Sequence, residues 1–325
     1  MTLRIGAAGL GRSTRARLTA AVAALVAAMA LVVPAPASAA PVWAPVGEAT
    51  IFPGVQTITA GMAQCTSNFV FFDKTDIYLG QAAHCSMQGD PLTASDPLSP
   101  TGPAGCSTQS LPLGTPIQIQ GATKPGTLAY NSWITMQEID ETRPHVCSYN
   151  DFALVRIDPA DHGRVNPTMP HWGGPTGVAL ATSPGEKVVS YGNSELRLGI
   201  PELRPKEGIS RGQTDGGWNH TVFTVTPGIP GDSGSGFLDS EGKAFGVLST
   251  LVFLPRPAHN GVGDVARELA YVGAHTDLDG VQLALGTEPF KPASSLDAAL
   301  PLLPPVLDVI DIPLAILNDL LNQLP

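Results

Sequence analysis

A serine set among glycines is the feature of this chain with the clearest chemical potential. It is Ser233, in the hexapeptide GDSGSG at 231–236. A serine hydroxyl is a weak nucleophile at neutral pH and needs a neighbouring base to remove its proton. Histidine suits that task because its side chain titrates close to neutral pH. The segment AAHC at 82–85 offers His84 as the base.

A carboxylate and two backbone N–H groups would complete a site for attack on a carbonyl group. The carboxylate fixes the tautomer of the histidine and stabilises its charged form, and Asp151, which begins the segment DFALV at 151–155, can supply it. The N–H groups bind the oxygen that becomes negative during the attack. Glycine permits a backbone conformation that turns amides inward, so we predict the N–H groups of Gly231 and Ser233 as the donors.

Each motif alone has a structural explanation, because Gly, Asp and Ser favour turns and a histidine beside a cysteine can be structural. Their joint presence in the order His, Asp, Ser favours catalysis. The three motifs resemble the signatures of the chymotrypsin/trypsin-like secreted bacterial serine proteases, over roughly residues 60–255. The resemblance implies an all-β fold of two antiparallel six-stranded β-barrels, with the active site at their junction.

The resemblance also implies an activity and a role for each residue. It implies a serine-type endopeptidase that forms an acyl-enzyme intermediate and uses no metal or cofactor. His84 would be the general base and acid, Asp151 would orient it, and Ser233 would be the nucleophile. Asp232 would correspond to the acid that holds the oxyanion loop. No Ile-Val-Gly-Gly start is visible, so we do not expect a new N-terminal amine to pair with Asp232.

Two further positions concern the substrate. Ser249 resembles a strand serine that lies near the aspartate and the substrate backbone. Pro227 stands six residues before Ser233, where a carboxylate would pair with a basic side chain at the cleaved bond. Leu248, just before Ser249, stands where the glutamate-cutting bacterial members of the family that the chain resembles have a histidine. We therefore expect a protein or peptide substrate with a small or apolar residue, rather than a basic one, before the cleaved bond.

The four cysteines, Cys65, Cys85, Cys106 and Cys147, predict disulfides because their number is even and the arginines and apolar run of residues 1–39 predict an exported protein. Three pairings are possible. We predict Cys65–Cys85 and Cys106–Cys147, because sequential loops close most easily; the family resemblance also favours the first. No Cys-x-x-Cys or His-Glu-x-x-His motif is present, so we predict no metal site.

Composition indicates the kind of element that must position these residues. The chain has 35 glycines, 31 prolines and only 14% charged residues, which favours a loop-rich β protein. Short runs of β-branched and aromatic residues predict antiparallel strands at 68–72, 117–119, 152–157, 187–191, 221–225 and 245–251. No long helical period appears before about residue 262. Residues 86–115 predict a long loop.

The ends of the chain differ from its middle. Residues 1–39 hold four arginines, an apolar run and small residues at 37 and 39, which predicts a signal peptide and a secreted protein without stable membrane insertion. Its removal leaves 14 basic and 28 acidic residues, a charge of 14 − 28 = −14, which disfavours nucleic acid as a partner. We expect one protease domain at 40–290, a Pro/Leu-rich tail at 291–325, and a monomer.

Two other functions remain possible from the sequence. An α/β-hydrolase esterase would use Ser233 with Asp264 and His275, because its triad follows the order Ser, acid, His. The absence of alternating helices argues against that fold. A secreted binding module on a protease scaffold is the other alternative, because a fold does not determine a function.

Overall fold

The computed structural model describes residues 41–59, 64–88, 104–252, 259–278 and 280–292. The predicted signal peptide and nearly all of the predicted tail lie outside the described residues, as does the middle of the predicted loop at 86–115. Within the described part, the chain is built mainly from antiparallel β-strands arranged in two sheets.

The first sheet has eight strands and carries two of the three candidate catalytic residues at its strand ends. Its strands are β1 (Gln56–Thr59), β2 (Gln64–Thr66), β3 (Val70–Phe72), β4 (Ile77–Gln81), β5 (Pro116–Ile119), β6 (Gly126–Asn131), β7 (Ala153–Arg156) and β14 (Gln282–Leu283). Their order is β14-β3-β4-β7-β6-β5-β1-β2, and every pairing is antiparallel.

The second sheet closes into a six-stranded barrel. Its strands are β8 (Lys187–Tyr191), β9 (Pro205–Thr214), β10 (Asn219–Val225), β11 (Gly236–Leu238), β12 (Ala244–Val252) and β13 (His259–Asp264), in the order β10-β13-β12-β11-β8-β9. The predicted all-β, two-barrel class is confirmed. The strand count of the first sheet differs from the expected six, because β2 and β14 add an edge strand at either end.

Buried apolar side chains explain why these segments form strands. Residues 70–72 and 77–81, in β3 and β4, are buried throughout, as expected for strands covered on both faces. Phe71 packs edge to face against Phe152, with ring centroids 5.5 Å apart. In the closed barrel, Phe237 and Phe245 pack in the same manner at 5.9 Å. The Phe71–Phe152 pair belongs to an apolar cluster to which both sheets contribute, and each sheet also surrounds a cluster of its own.

Four helices connect or flank the strands of the described part: α1 (Ala104–Ser107), α2 (Ser132–Glu138), α3 (Pro144–Tyr149) and α4 (Val265–His275). Asn131 caps α2 by accepting a hydrogen bond from the Trp133 N–H at 2.9 Å. Asp264 caps α4 in the same way through the Arg267 N–H, at 2.9 Å. Within the described residues, no helix has both the length and the apolar character that crossing a membrane requires.

Both predicted disulfides are present. Cys65–Cys85 joins β2 to the 3₁₀ turn at Ala83–Ser86 that follows β4. Cys106–Cys147 joins α1 to α3. The second bond therefore holds the end of the long loop against the helix that leads into Asp151.

Candidate active site

Pairing between β4 and β7 brings His84 close to Asp151. His84 lies on the 3₁₀ turn directly after β4, and Asp151 lies between α3 and β7. Gln81 of β4 is opposite Ala153 of β7 in the register of the two strands. Two residues 67 positions apart in the sequence are thereby held at the same end of neighbouring strands.

Asp151 binds His84 through both carboxylate oxygens. The backbone N–H of His84 donates to Oδ1 at 2.9 Å, and the imidazole Nδ1 lies 2.7 Å from Oδ2. Because a carboxylate only accepts, Nδ1 carries the proton and Nε2 is left as the basic nitrogen. This is the tautomer that a histidine base requires.

His84 and Asp151 are buried together, and each favours the charged form of the other. Burial lowers the pKa of His84, but the attraction of Asp151 outweighs it, so this pKa lies above its ordinary value of 6.5. Burial raises the pKa of Asp151, but His84 and the hydrogen bonds to the carboxylate outweigh it and hold this pKa below its ordinary value. Asp151 is therefore ionised wherever His84 is able to act as a base.

Ser249 adds a third contact to the same carboxylate. This residue lies in β12, and its hydroxyl donates to Oδ2 of Asp151 at 2.6 Å. The side chain of Ser249 is buried. The two carboxylate oxygens of Asp151 thus receive three donors, which fixes the plane of the carboxylate and, with it, the orientation of His84.

Ser233 lies in a tight turn before β11, close to the segment that carries His84. Its carbonyl oxygen accepts from the Thr66 N–H at 2.9 Å, and the next N–H, of Gly234, donates to the Leu248 carbonyl at 2.7 Å. A Cβ on Gly234, whose φ is +87°, would lie 2.8 Å from the Ala82 nitrogen. Only glycine allows this close approach.

The hydroxyl of Ser233 and the N–H groups of Gly231 and Ser233 have no hydrogen-bond partners within the described residues. The Ser233 hydroxyl makes no hydrogen bond to a described group and is partly exposed. Among the same residues, no acceptor binds the N–H groups of Gly231 and Ser233. Gly231 has a φ of +94°, and its carbonyl is tied to Gln64 Nε2 at 2.9 Å and Thr66 Oγ1 at 2.7 Å. The turn therefore presents one hydroxyl and two unsatisfied N–H donors.

Asp232 is buried beneath this turn in a cluster of internal charges. Its Oδ2 lies 2.7 Å from Lys206 Nζ and 2.5 Å from Arg197 Nη2. The backbone N–H groups of Ser194 and Ile229 also donate to its carboxylate, at 3.1 and 3.2 Å. Burial raises the pKa of Asp232, but Lys206 and Arg197 outweigh it and hold this pKa below its ordinary value. Two side chains of the chain itself therefore satisfy the acid that holds the turn.

Sequence reasoning missed Arg197 and Lys206. Lys206 is fully buried, and a Cβ at Gly192 would lie 2.7 Å from its Nζ and 2.4 Å from Oδ1 of Asp232. The two cations lie 35 and 26 residues before Asp232 in the sequence. Nothing in the sequence around a single arginine or lysine indicates that its side chain is buried against an acid so far away in the chain.

A neutral amide lies behind the turn at Pro227. The N–H of Gly228 donates to Oδ1 of Asn260 at 3.0 Å, and Nδ2 of this buried asparagine donates to Thr224 Oγ1 at 3.0 Å. Pro227 itself is exposed, and its carbonyl accepts from Arg197 Nη2 at 3.3 Å. Sequence reasoning singled out Pro227 but not Asn260.

The structure does not assemble the alternative esterase triad. Asp264 is buried, with its carboxylate 2.9 Å from His220 Nε2 and 2.8 Å from Gln213 Nε2. His275 is exposed at the opposite end of the same helix, with its ring 4.3 Å from that of Tyr271. The all-β fold also lacks the alternating helices of an α/β hydrolase. The esterase alternative, with Asp264 and His275 as the partners of Ser233, therefore has no support in the structure.

A metal-ligand cluster is not available near His84. The group of potential ligands found among the described residues consists of Cys65, His84 and Cys85. The two cysteines are joined to each other in a disulfide, whereas metal binding requires thiolates.

Comparison with known proteins identifies similar solved structures, although no protein-family model and no curated protein matches the chain. Thermobifida fusca protease A is 16% identical, with a TM-score of 0.47, over 73% of this chain and 100% of its own. The Nocardiopsis protease is 15% identical, with a TM-score of 0.43, over 72% and 98%. The Rv3671c protease from M. tuberculosis, in its active form, is 15% identical, with a TM-score of 0.42, over 80% and 97%. All three of these similar structures are proteases.

Proposed function

We propose that the protein is a serine endopeptidase that cleaves peptide bonds through an acyl-enzyme intermediate. The observation that carries the proposal is the pair of hydrogen bonds between His84 and Asp151, at 2.9 Å from the backbone N–H to Oδ1 and 2.7 Å from Nδ1 to Oδ2. The glycine-rich turn nearby has a hydroxyl and two N–H donors without partners among the described residues. General-base activation requires a histidine in this tautomer and a serine hydroxyl that comes within hydrogen-bond reach of its Nε2. The turn that carries Ser233 packs against Ala82, two residues before His84.

The reaction follows from these groups. The Ser233 hydroxyl attacks the carbonyl carbon of the substrate, while His84 takes its proton at Nε2 and Asp151 stabilises the resulting imidazolium. The N–H groups of Gly231 and Ser233 bind the oxygen that becomes negative. His84 then gives the proton to the departing amine. In the second half, His84 activates a water molecule that hydrolyses the ester on Ser233.

The substrate is a protein or peptide with a small or apolar residue before the cleaved bond. An exposed proline at 227 and a buried neutral amide at 260 support this preference, because neither can neutralise a lysine or arginine side chain. Pro227 and Ser249 are the residues that we assign to the substrate site.

The enzyme works outside the cytoplasm as a monomer. The arginine-flanked apolar run within residues 1–39 supports export. Two disulfides support an oxidising compartment. The surplus of acidic residues supports a role without nucleic acid.

Cleavage of a mixed peptide library tests the activity and the preference together. Wild-type protein should cleave after small or apolar residues, and the variant Ser233→Ala should lose activity by a factor on the order of 10⁴ or more while keeping its fold. His84→Ala should lose activity similarly, and His275→Ala serves as the matched control that should remain active. Near-normal cleavage by Ser233→Ala would refute the assignment.

A further inference from the structure

Glu268 is a buried acid that the proposed reaction does not use. It lies in the first turn of α4, which packs against β12, β13 and α2, and its exposed fraction is 0%. Among the described residues, no side chain donates a hydrogen bond to its carboxyl oxygens or forms an ion pair with them, and the backbone N–H of Asp151 is the donor that faces them. A buried carboxylate without a partner is costly, and such a group avoids the cost by holding a proton.

The carboxyl group lies directly behind Asp151. A Cβ added at Gly263 would lie 2.4 Å from Oε1 of Glu268 and 3.0 Å from the Tyr149 carbonyl. That same carbonyl accepts the Asp151 N–H at 3.0 Å, and this N–H also faces the carboxyl group of Glu268. The backbone that carries Asp151 therefore rests against Glu268.

The other groups that face Glu268 are acidic or neutral. Burial, together with the negative charges of Asp151 and Asp264, raises the pKa of Glu268 well above its ordinary value. The Tyr130 hydroxyl, from β6, also interacts with Glu268 and has no hydrogen-bond partner within the described part. Asp151 and Asp264 each have a histidine partner, at 2.7 and 2.9 Å. Glu268 alone among the three acids lacks one.

We propose that Glu268 is a positioning residue of the candidate site: as a neutral carboxylic acid, it supports the backbone of Asp151 from behind without adding a second negative charge there. The placement of Asp151 then depends on α4 as well as on the sheet that carries it. The kinetic consequence rests on the proposed peptidase activity, but the structural claim does not.

The pH dependence of unfolding tests whether Glu268 is neutral. In the unfolded chain a glutamic acid ionises above about pH 4.3, whereas the folded chain keeps Glu268 protonated. The unfolding equilibrium constant of the wild type, divided by that of Glu268→Gln, should therefore rise about tenfold per pH unit between roughly pH 5 and 7. A constant ratio over this range would mean that the folded protein carries an ionised Glu268, and would overturn the proposal.

A measurement on the wild type covers the case in which the variant does not fold. In protein labelled with ¹³C at glutamate carboxyl carbons, one resonance should remain at the protonated position up to pH 7. Titration of every glutamate with an ordinary midpoint would contradict the proposal, whatever the behaviour of the variant.

The positioning role has a separate readout that does not depend on activity. The imidazole Nδ1–H proton of His84 gives an NMR signal that reports its hydrogen bond to Asp151. Glu268→Gln should keep this signal and the His84 titration midpoint, whereas Glu268→Ala should weaken the signal. If Glu268 were ionised in the wild type, Glu268→Gln would remove a nearby negative charge, and the titration midpoint of His84 would be lower in the variant by on the order of one pH unit.

Val272→Ala is the matched control, because Val272 is buried one turn further along α4 and packs in the core. It should destabilise the protein and leave the His84 signal unchanged. An unaltered signal in Glu268→Ala as well would show that Glu268 only fills space, and would overturn the positioning role. If the wild type had no peptidase activity, only the proposed function would be contradicted, because the pH dependence of unfolding and the His84 NMR signal can both be measured on inactive protein.

Discussion

Asp151 is the residue on which the geometry of the candidate site depends most. Its carboxylate receives the backbone N–H and the imidazole of His84, together with the hydroxyl of Ser249. Three donors on two oxygens leave little rotational freedom for the carboxylate. The orientation of His84 is therefore set by buried groups rather than by the substrate.

The pH dependence of activity should reflect this pairing. Protonated His84 cannot take a proton from Ser233, so kcat/KM should fall as the pH drops through the pKa of His84. Because Asp151 raises that pKa, the acid limb should have its midpoint above 6.5. The measurement is kcat/KM for a peptide substrate from pH 5 to 9.

A flat rate from pH 5 to 8 would contradict this prediction. Asp151→Asn is the informative comparison, because it removes the charge and favours the wrong tautomer. Its kcat should fall by a factor on the order of 10⁴, and its remaining acid limb should move to lower pH.

Residues in local motifs could be predicted from the sequence, and isolated ones could not. His84, Asp151 and Ser233 stand in segments whose neighbours already restrict their role. Asn260 and Glu268 stand in segments without any such pattern, and their importance comes from burial beside residues far away in the chain. His220 likewise carried no signal, although it is buried between Thr182 at 2.8 Å and Asp264 at 2.9 Å.

At the scale of elements, the turn at 229–234 is stabilised by a buried ion pair network between its own Asp232 and two basic side chains from other segments. Asp232 is fully buried between Lys206 on β9 and Arg197 on the loop after β8. Removing one partner of a buried ion pair leaves a charge uncompensated and costs about 3–5 kcal/mol. The conformation of the turn, and with it the N–H donors of Gly231 and Ser233, depends on these two cations.

Lys206→Met should therefore destabilise the protein at neutral pH by up to about 3–5 kcal/mol, with Arg197 as the remaining partner. The pKa of Asp232 is lowered in the folded state, so the stabilisation is present above its ordinary value of 3.8 and is lost as the pH falls through the folded value. Urea unfolding at pH 7 and in acid measures this difference.

The partly exposed Lys243, which pairs with Glu241 at the surface, provides the control. Lys243→Met should leave the urea midpoint unchanged at both pH values. If Lys206→Met were as stable as the wild type at pH 7, the ion cluster would not hold the turn.

Strands with strong apolar patterns were predictable, and strands rich in glycine and polar residues were not. The predicted run at 187–191 coincides with β8, and the run at 245–251 lies within β12. The sequences PKEGISRGQT of β9 and HNGVGD of β13 carry no such pattern, and barrel closure rather than propensity makes them strands. The helices α2 and α3, with seven and six residues, are too short to show a helical period.

At the scale of the whole molecule, two disulfides close loops that the sheets alone do not fix. The sequence separations are 20 residues for Cys65–Cys85 and 41 for Cys106–Cys147. The even cysteine count and sequential order made these pairings predictable. The closure of the second sheet and the addition of β14 to the first depend on contacts between distant segments, which composition does not reveal.

Removing Cys106–Cys147 should lower the free energy of unfolding by on the order of 3–4 kcal/mol, because the unfolded chain regains the entropy of a long loop. The double variant Cys106→Ser/Cys147→Ser, compared with oxidised wild type in urea, measures this loss. The corresponding Cys65→Ser/Cys85→Ser variant should lose slightly less, since its loop is shorter. An unfolding free energy that is unchanged without Cys106–Cys147 would contradict the role of that bond in holding the long loop.

The most direct test is covalent labelling of the folded protein with a fluorophosphonate, followed by peptide mapping in a mass spectrometer. Activation of Ser233 by His84 predicts a single adduct on Ser233, absent from Ser233→Ala and from His84→Ala but retained in the surface control Ser240→Ala. Folded wild-type protein that remains unlabelled at pH 8 would contradict the account and favour the secreted binding module instead.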